Sequence, residues 1–208
     1  FLNIHRKYKK NFSKNFLIQN FGLFSVDKSM YKLLKCFEIL QQIKDVKGSI
    51  IEFGVWNGNN LITIKKIIDY LRINKKIIGY DNFKGMIRKN KKNSFIGDLK
   101  LIEYIIKFFN LKNIELIKDD IIFLKKNLNK IPKLSLIYID CDIYSTTKNI
   151  LKLLPSKLNK GGLIIFDEAL FKRGEGKAAN EFYKKNSKFY KKIYLKKNYQ
   201  PDLIFKKI

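Results

Sequence analysis

The chain is expected to fold as a doubly wound, mainly parallel α/β sheet of seven strands, and three observations predict it. Short β-type apolar runs alternate with segments whose apolar residues recur at helical spacing, from Ser49 to the C-terminus. The first run passes straight into a glycine turn, Gly54-Val55-Trp56-Asn57-Gly58, with a helical pattern behind it. Acids then sit at the ends of the first five runs: Glu52, Asp81, Asp120, the pair Asp140 and Asp142, and Asp167-Glu168. Carboxylates gathered at the carboxyl ends of parallel strands lie where such sheets bind ligands.

Taken in order, residues 1–26 mix Lys and Arg with Phe12, Phe16, Phe21 and Phe24 at no clean period and read as an arm or lid. The domain proper runs over 27–208. From Asp27 to about Lys47, Met30, Leu33, Leu34, Phe37 and Leu40 follow helical spacing, and Gly48 stands where a C-terminal cap belongs. Ser49 to Phe53 reads as a buried strand, and Leu61, Ile64, Ile68 and Leu71 mark the helix after the glycine turn. Lys76 to Tyr80 is the second strand, Asp98 to Phe109 a helix, and Ile114 to Ile117 the third strand. A short helix precedes Pro132, Leu134 to Ile139 supplies strand four, and a helix from about Ser145 to Leu154 ends before Pro155. Gly161-Gly162 turns into strand five, Leu163 to Phe166. A helix through Ala178, Phe182 and Tyr183 and two closing strands, near Lys192 to Leu195 and Leu203 to Lys207, complete the sheet.

At 208 residues and 46% hydrophobic composition the chain can bury one substantial core, and no linker divides it. The net charge of +26 would suit a nucleic-acid partner, but the lysines are spread over almost every segment instead of forming a stripe, which makes nucleic acid an unlikely partner. Cys36 and Cys141 fit no disulfide framework or zinc site, which favours a reducing, cytoplasmic compartment. With His5 the lone imidazole, Ser-His-Asp and Cys-His mechanisms are improbable. No apolar run reaches membrane-spanning length and no signal peptide is visible. A start at Phe1 in place of Met is what a truncated chain would show.

Glu52-x-Gly54-x-x-x-Gly58 lacks the three glycines that admit a pyrophosphate at a helix start. The looser turn, with Asn57 inside it, suits a nucleoside without phosphate. Asp81, one strand over, can accept from ribose hydroxyls, and Glu52 can face a cation. Nucleoside, cation and no phosphate describe S-adenosylmethionine. Asp140, Asp167 and Glu168 are three hard oxygen ligands suited to Mg²⁺. Such a metal would lower the pKa of a bound hydroxyl, leaving Asp142 to take the proton, although Asp142 could instead serve the start of the next helix as a cap. Ser145, Thr146 and Thr147 read as capping or packing residues.

Five stretches carry a resemblance to a known family. Ile51-Glu52-Phe53-Gly54-Val55-Trp56-Asn57-Gly58, Asp81-Asn82-Phe83-Lys84-Gly85-Met86, Ile139-Asp140-Cys141-Asp142-Ile143-Tyr144-Ser145-Thr146, Phe166-Asp167-Glu168 and Gly174 to Phe182 resemble the motifs of the macrocin O-methyltransferases. The similarity runs from about Ser25 to the C-terminus. It implies the Rossmann-like class I methyltransferase fold, S-adenosylmethionine and Mg²⁺ as cofactors, and a sugar hydroxyl as methyl acceptor. By position it implies metal ligands at Asp140, Asp167 and Glu168, a general base at Asp142, and cofactor contacts around Glu52, Gly54, Asp81 and Asn82, with Asp120 near the adenine. Members often associate through their N-terminal segments, so a homo-oligomer is expected. The chain departs from the family pattern at Cys141, usually Gly, at Glu168, commonly Asp, and at Asn82, usually Ser. Competing readings are an RNA ribose methyltransferase, for which the charge argues, and a non-catalytic protein that keeps the fold.

Overall fold

The computed structural model describes residues 13–86, 94–170 and 173–208, and everything below concerns these. Two short helices lead in, α1 (Lys14–Gln19) and α2 (Phe21–Phe24), the first capped by Ser13, whose Oγ accepts from the Phe16 N–H at 3.1 Å. The predicted arm is therefore partly helical, while residues 1–12, including His5 and Phe12, and residues 87–93 lie outside the described residues.

The remaining elements follow the alternation of the sequence. They are α3 (Asp27–Gln42), β1 (Ser49–Phe53), α4 (Asn59–Tyr70), β2 (Ile77–Asp81), α5 (Leu99–Phe108), β3 (Ile114–Lys118), α6 (Leu124–Asn127), β4 (Leu134–Ile139), α7 (Tyr144–Leu153), β5 (Leu158–Phe166), α8 (Glu175–Asn186), β6 (Tyr190–Tyr194) and β7 (Leu203–Lys207). Among the described residues the strands form one seven-stranded sheet in the order β3-β2-β1-β4-β5-β7-β6. Strands β1 to β5 are parallel; β7 runs antiparallel to both β5 and β6. The strand order reverses between β1 and β4, which leaves a crevice beyond their carboxyl ends.

Period-two alternation explains why both faces are covered. Ile50, Ile77, Leu136, Tyr138 and Leu163 point to one face, where Ile39 and Leu40 of α3, Ile64 and Ile68 of α4 and Ile102 of α5 pack on them. Ile51, Phe53, Ile78, Ile137, Ile139 and Phe166 point to the other, under Leu124 of α6, Ile150 of α7 and Ala178 of α8. Among the described residues no helix is long and apolar enough to cross a membrane.

Three boundaries differ from expectation. Helix α3 ends at Gln42, well short of Lys47, because Ile43 is fully buried and the chain turns there toward β1, the Val46 N–H donating to the Ile43 carbonyl. Strand β5 begins at Leu158, so Gly161-Gly162 lies inside it; the pairing with β4 jumps from Leu134↔Leu158 to Leu136↔Leu163, a bulge that absorbs the glycines. Strand β6 starts at Tyr190, two residues before the predicted start.

The start of α5 bears directly on the crevice. Asp98 caps it, its Oδ1 accepting from the Leu101 N–H at 3.0 Å, while its own N–H donates to Asn57 Oδ1 at 3.0 Å. Asp98→Ala is expected to lower stability by about 1 kcal/mol in urea unfolding, the usual cost of losing a helix N-cap.

Candidate active site

A cleft of about 350 Å³ opens beyond the carboxyl ends of β1, β2 and β4, and its lining includes Gly54, Asp81, Asn82, Asp120, Asp140 and Asp142. Trp56 and Phe95, whose rings meet edge to face at 5.8 Å, form an apolar lip. Gly54, just past β1, passes close to the end of β4. Its φ is +88°, and a Cβ there would stand 1.9 Å from the Asp140 carbonyl oxygen, so only glycine admits the strand ends to this distance.

Backbone amides hold the donor-side acids. Asp81 Oδ2 accepts from the Trp56 N–H at 2.9 Å and Oδ1 from the Phe83 N–H at 2.7 Å. Asn82 Oδ1 accepts from the Lys84 N–H at 2.8 Å, and Asp120 Oδ1 from the Ile122 N–H at 3.0 Å. Each carboxylate oxygen keeps a further acceptor direction for a ligand.

Three residues expected at the cofactor lie behind the cleft lining. Asn57 ties the glycine turn to Asp98, as above. Gly58 faces α5, where a Cβ would come within 2.9 Å of Ile102 Cγ1. Glu52 is 1% exposed; its Oε1 accepts from Asn60 Nδ2 at 3.1 Å and its Oε2 has no hydrogen-bond partner. Burial pushes the Glu52 carboxyl up to about 8, with Asn60 and the Lys32 ammonium opposing the rise.

The expected metal ligands are not assembled as a cage. Among the described residues no group of three or more His, Cys, Asp or Glu converges to hold a metal. The Lys32 ammonium of α3 lies 2.8 Å from Asp167 Oδ1 and 3.7 Å from Asp140 Oδ2. Asp167, almost fully buried, also accepts from the Tyr138 hydroxyl at 2.6 Å on the same oxygen. Glu168 accepts instead from Gln200 Nε2. Mg²⁺ requires near-octahedral oxygens at about 2.0–2.1 Å, and with the Lys32 ammonium between Asp140 and Asp167 this arrangement does not meet that demand.

Burial by itself would pull the Lys32 ammonium down, but the Asp167 and Asp140 carboxylates reverse this and raise it. Asp140 is pushed well above the usual carboxylate range by lost hydration and then by Asp167, with Lys32 pulling the other way. The Tyr138 phenol is raised well above its ordinary value by burial and by Asp167, and so stays an O–H donor.

Asp142 is positioned by its backbone. Its φ is +57°, a left-handed conformation that Asp tolerates better than most residues, and Gly174 packs so close that a Cβ there would sit 2.1 Å from the Asp142 carbonyl oxygen. The N-cap of α7 is Ile143, so Asp142 falls one residue short of the cap position. Cys141, where the resemblance implies a glycine, is not the left-handed residue; its side chain is buried in the core.

Three further residues, Glu175, Lys32 and Tyr138, belong to the site although no motif marks a role for them. Glu175 is 1% exposed, and its two oxygens accept from the Cys141 N–H at 3.0 Å and the Glu168 N–H at 3.1 Å, bracing the loops after β4 and β5. Burial pushes it well above the usual carboxylate range, and the two amides pull it back. Glu175→Gln sets an amide NH₂ against one of those N–H groups and is expected to cost about 1–3 kcal/mol in denaturant unfolding. Lys32 did carry a sequence signal. It stands one turn before Cys36 on the stripe that continues through Ile39, Leu40 and Ile43, the buried side of α3.

A family model for macrocin O-methyltransferases (TylF) matches residues 24–194. No curated protein matches the chain in sequence. Among solved structures, CalS11, a calicheamicin methyltransferase, matches with a TM-score of 0.73 at 23% identity, over 95% of this chain and 86% of that one. An apo structure of CalS11, described as a TDP-rhamnose 3'-O-methyltransferase, gives 0.69 at 22%, over 98% and 90%. The O-methyltransferase NovP gives 0.70 at 18%, over 86% and 79%. At these identities the likeness establishes the shared Rossmann-like methyltransferase fold. Because the family model spans most of the chain, from just before α3 to the end of β6, the chain belongs to the macrocin O-methyltransferase family.

Proposed function

We propose that the chain transfers a methyl group from S-adenosylmethionine to a sugar hydroxyl, with Asp142 as the general base. One observation carries the donor assignment. In a chain with 44 Lys and Arg against 18 Asp and Glu, the described residues lining the cleft include four aspartates, Asp81, Asp120, Asp140 and Asp142, and no lysine or arginine. An acidic cleft in a basic protein favours a cationic ligand and disfavours a phosphate backbone. Bound there, S-adenosylmethionine supplies an electrophilic methyl on a sulfonium, beside an ammonium.

The residues fit that ligand. Asp81 offers acceptor directions to ribose hydroxyls and Asp120 to the adenine side, while Glu52, buried behind the cleft lining with its carboxyl raised to about 8, would face a cationic group on giving up its proton. Asp142, on the far wall, takes the proton from the attacking hydroxyl, while the Trp56 and Phe95 lip limits water. The sugar acceptor is drawn from the family and from CalS11, described as acting on TDP-rhamnose. Natural-product glycosides and surface-polysaccharide sugars are the candidate substrates. The free, buried thiols of Cys36 and Cys141 accord with a cytoplasmic setting.

Two measurements test this reading. Isothermal titration should show one S-adenosylmethionine bound per chain, and absence of binding by folded protein refutes the donor assignment. Labelled methyl should then reach a nucleotide sugar or polysaccharide fragment in a screen, and transfer only to RNA would replace the acceptor.

A further inference from the structure

The acidic pair that family logic assigns to a divalent metal already holds a cation. Lys32 projects from the second turn of a 16-residue helix, and its ammonium contacts Asp167 at 2.8 Å and Asp140 at 3.7 Å. Its side chain is 25% exposed, against 3% for Asp167, and its ammonium stands 5.9 Å from the centre of the Tyr138 ring. The oxygen of Asp167 nearest the ammonium also takes the Tyr138 hydroxyl, so both of its acceptor directions are in use. The third carboxylate, Glu168, is paired with Gln200, and Glu175 holds its backbone N–H. A divalent ion entering here would have to displace the ammonium, and two cations confined between the same carboxylates repel strongly at low dielectric.

We propose that Lys32 is a tethered resident cation that takes the metal's place between Asp140 and Asp167, making this chain's methyl transfer independent of divalent metal. Lys32 also lines a second cavity of about 410 Å³ with Lys28, Glu168, Tyr199 and Gln200, while Asp140, 3.7 Å from its ammonium, lines the donor cleft, so the pair reaches from one cavity lining to the other. A positive charge at that boundary neutralises the two acids and offers N–H donors to an acceptor hydroxyl arriving from the second cavity. The charge comes from the helix itself, so it needs no loading from solution. The catalytic part of this inference rests on the methyl-transfer reading above; the occupancy of the acidic pair by Lys32 does not.

The test uses Mn²⁺ as the probe, titrated into the full chain and followed by electron paramagnetic resonance. Wild type and Lys32→Arg should show no stoichiometric site. Lys32→Met should gain one Mn²⁺ per chain, at least about tenfold tighter than wild type, and Lys32→Met combined with Asp167→Asn should lose it again. Melting curves confirm that each variant is folded, and Lys32→Arg keeps the charge should Lys32→Met fail to fold. A stoichiometric Mn²⁺ site in wild type, in Lys32→Arg, or unchanged between wild type and Lys32→Met overturns the proposal. With an acceptor in hand, wild-type turnover should persist in EDTA, whereas Lys32→Met should fall about a hundredfold there and recover with Mg²⁺. EDTA-sensitive wild-type turnover restored by Mg²⁺ also overturns it. Failure of S-adenosylmethionine to bind would remove the methyl-transfer reading and leave the Mn²⁺ result standing.

Discussion

Asp142→Asn is expected to leave S-adenosylmethionine affinity nearly unchanged and to reduce methyl transfer by roughly 10²–10⁴-fold, the range for loss of a positioned general base. The substitution is clean for a conformational reason. Asp142 has φ +57°, and Asn is as tolerant as Asp of the left-handed region, so the turn between β4 and α7 keeps its shape. Asn offers one carbonyl oxygen and no basic oxygen of comparable strength, so the acceptor still docks but its proton has no destination. Calorimetry reports the first half of the expectation and single-turnover transfer of labelled methyl the second. Undiminished turnover would remove Asp142 from the mechanism and direct attention to Asp140.

Glu52→Gln is expected to flatten the pH dependence of stability and to make the protein more stable than wild type in alkaline solution. The sign follows from proton binding. The folded-state carboxyl sits at about 8 against an ordinary 4.5, because burial disfavours its charge. Below pH 4.5 both folded and unfolded chains hold the proton, and Glu52 contributes no slope. Between 4.5 and about 8 the unfolded chain releases the proton while the folded chain keeps it, so wild-type stability falls as pH rises. Above about 8 both are ionised and the penalty is constant. At about 1.4 kcal/mol per pH unit the penalty has a ceiling of roughly 5 kcal/mol. Gln keeps the acceptor for Asn60 and removes the titration. Parallel urea curves for wild type and Glu52→Gln across pH 5 to 9 would contradict this, since they would mean that Glu52 is charged and paired in the folded chain.

Both residues show how much of the site is written locally. Glu52 and Asp142 belong to short stretches whose residue types can be read along the chain: an acid in a buried strand before a glycine turn, and an acid just past a strand that ends at Ile139. The burial that raises Glu52 to about 8 is supplied by α3 and α4 packing on that face of the sheet, and neither helix announces in sequence which strand it will cover. Asn57 and Gly58 show the same dependence on distant elements. Both lie in a turn of the right composition, but α5, some 40 residues on, comes close enough to engage both of them.

Cys141 is the clearest reversal. The resemblance implies glycine at this position and a crowded turn, yet in the fold the left-handed backbone falls one residue later, on Asp142, and Cys141 is buried in the core with residues of α7 and α8. Backbone conformation at one residue is set by where the next helix must begin and by the close passage of Gly174. Both conditions come from elsewhere in the chain.

The order of strands and helices, the acids at the strand ends and the family to which the chain belongs were determined by the sequence alone, because apolar periodicity and short motifs are properties of neighbouring residues. The pairing of Lys32 with Asp167, 135 positions apart, and the bracing of two loops by Glu175 were decided by the tertiary structure. Helical spacing puts Lys32 on the buried stripe of α3 but does not name its partner: that is set by which helix packs over which strand end, and the charges are held there by burial that only the assembled sheet provides.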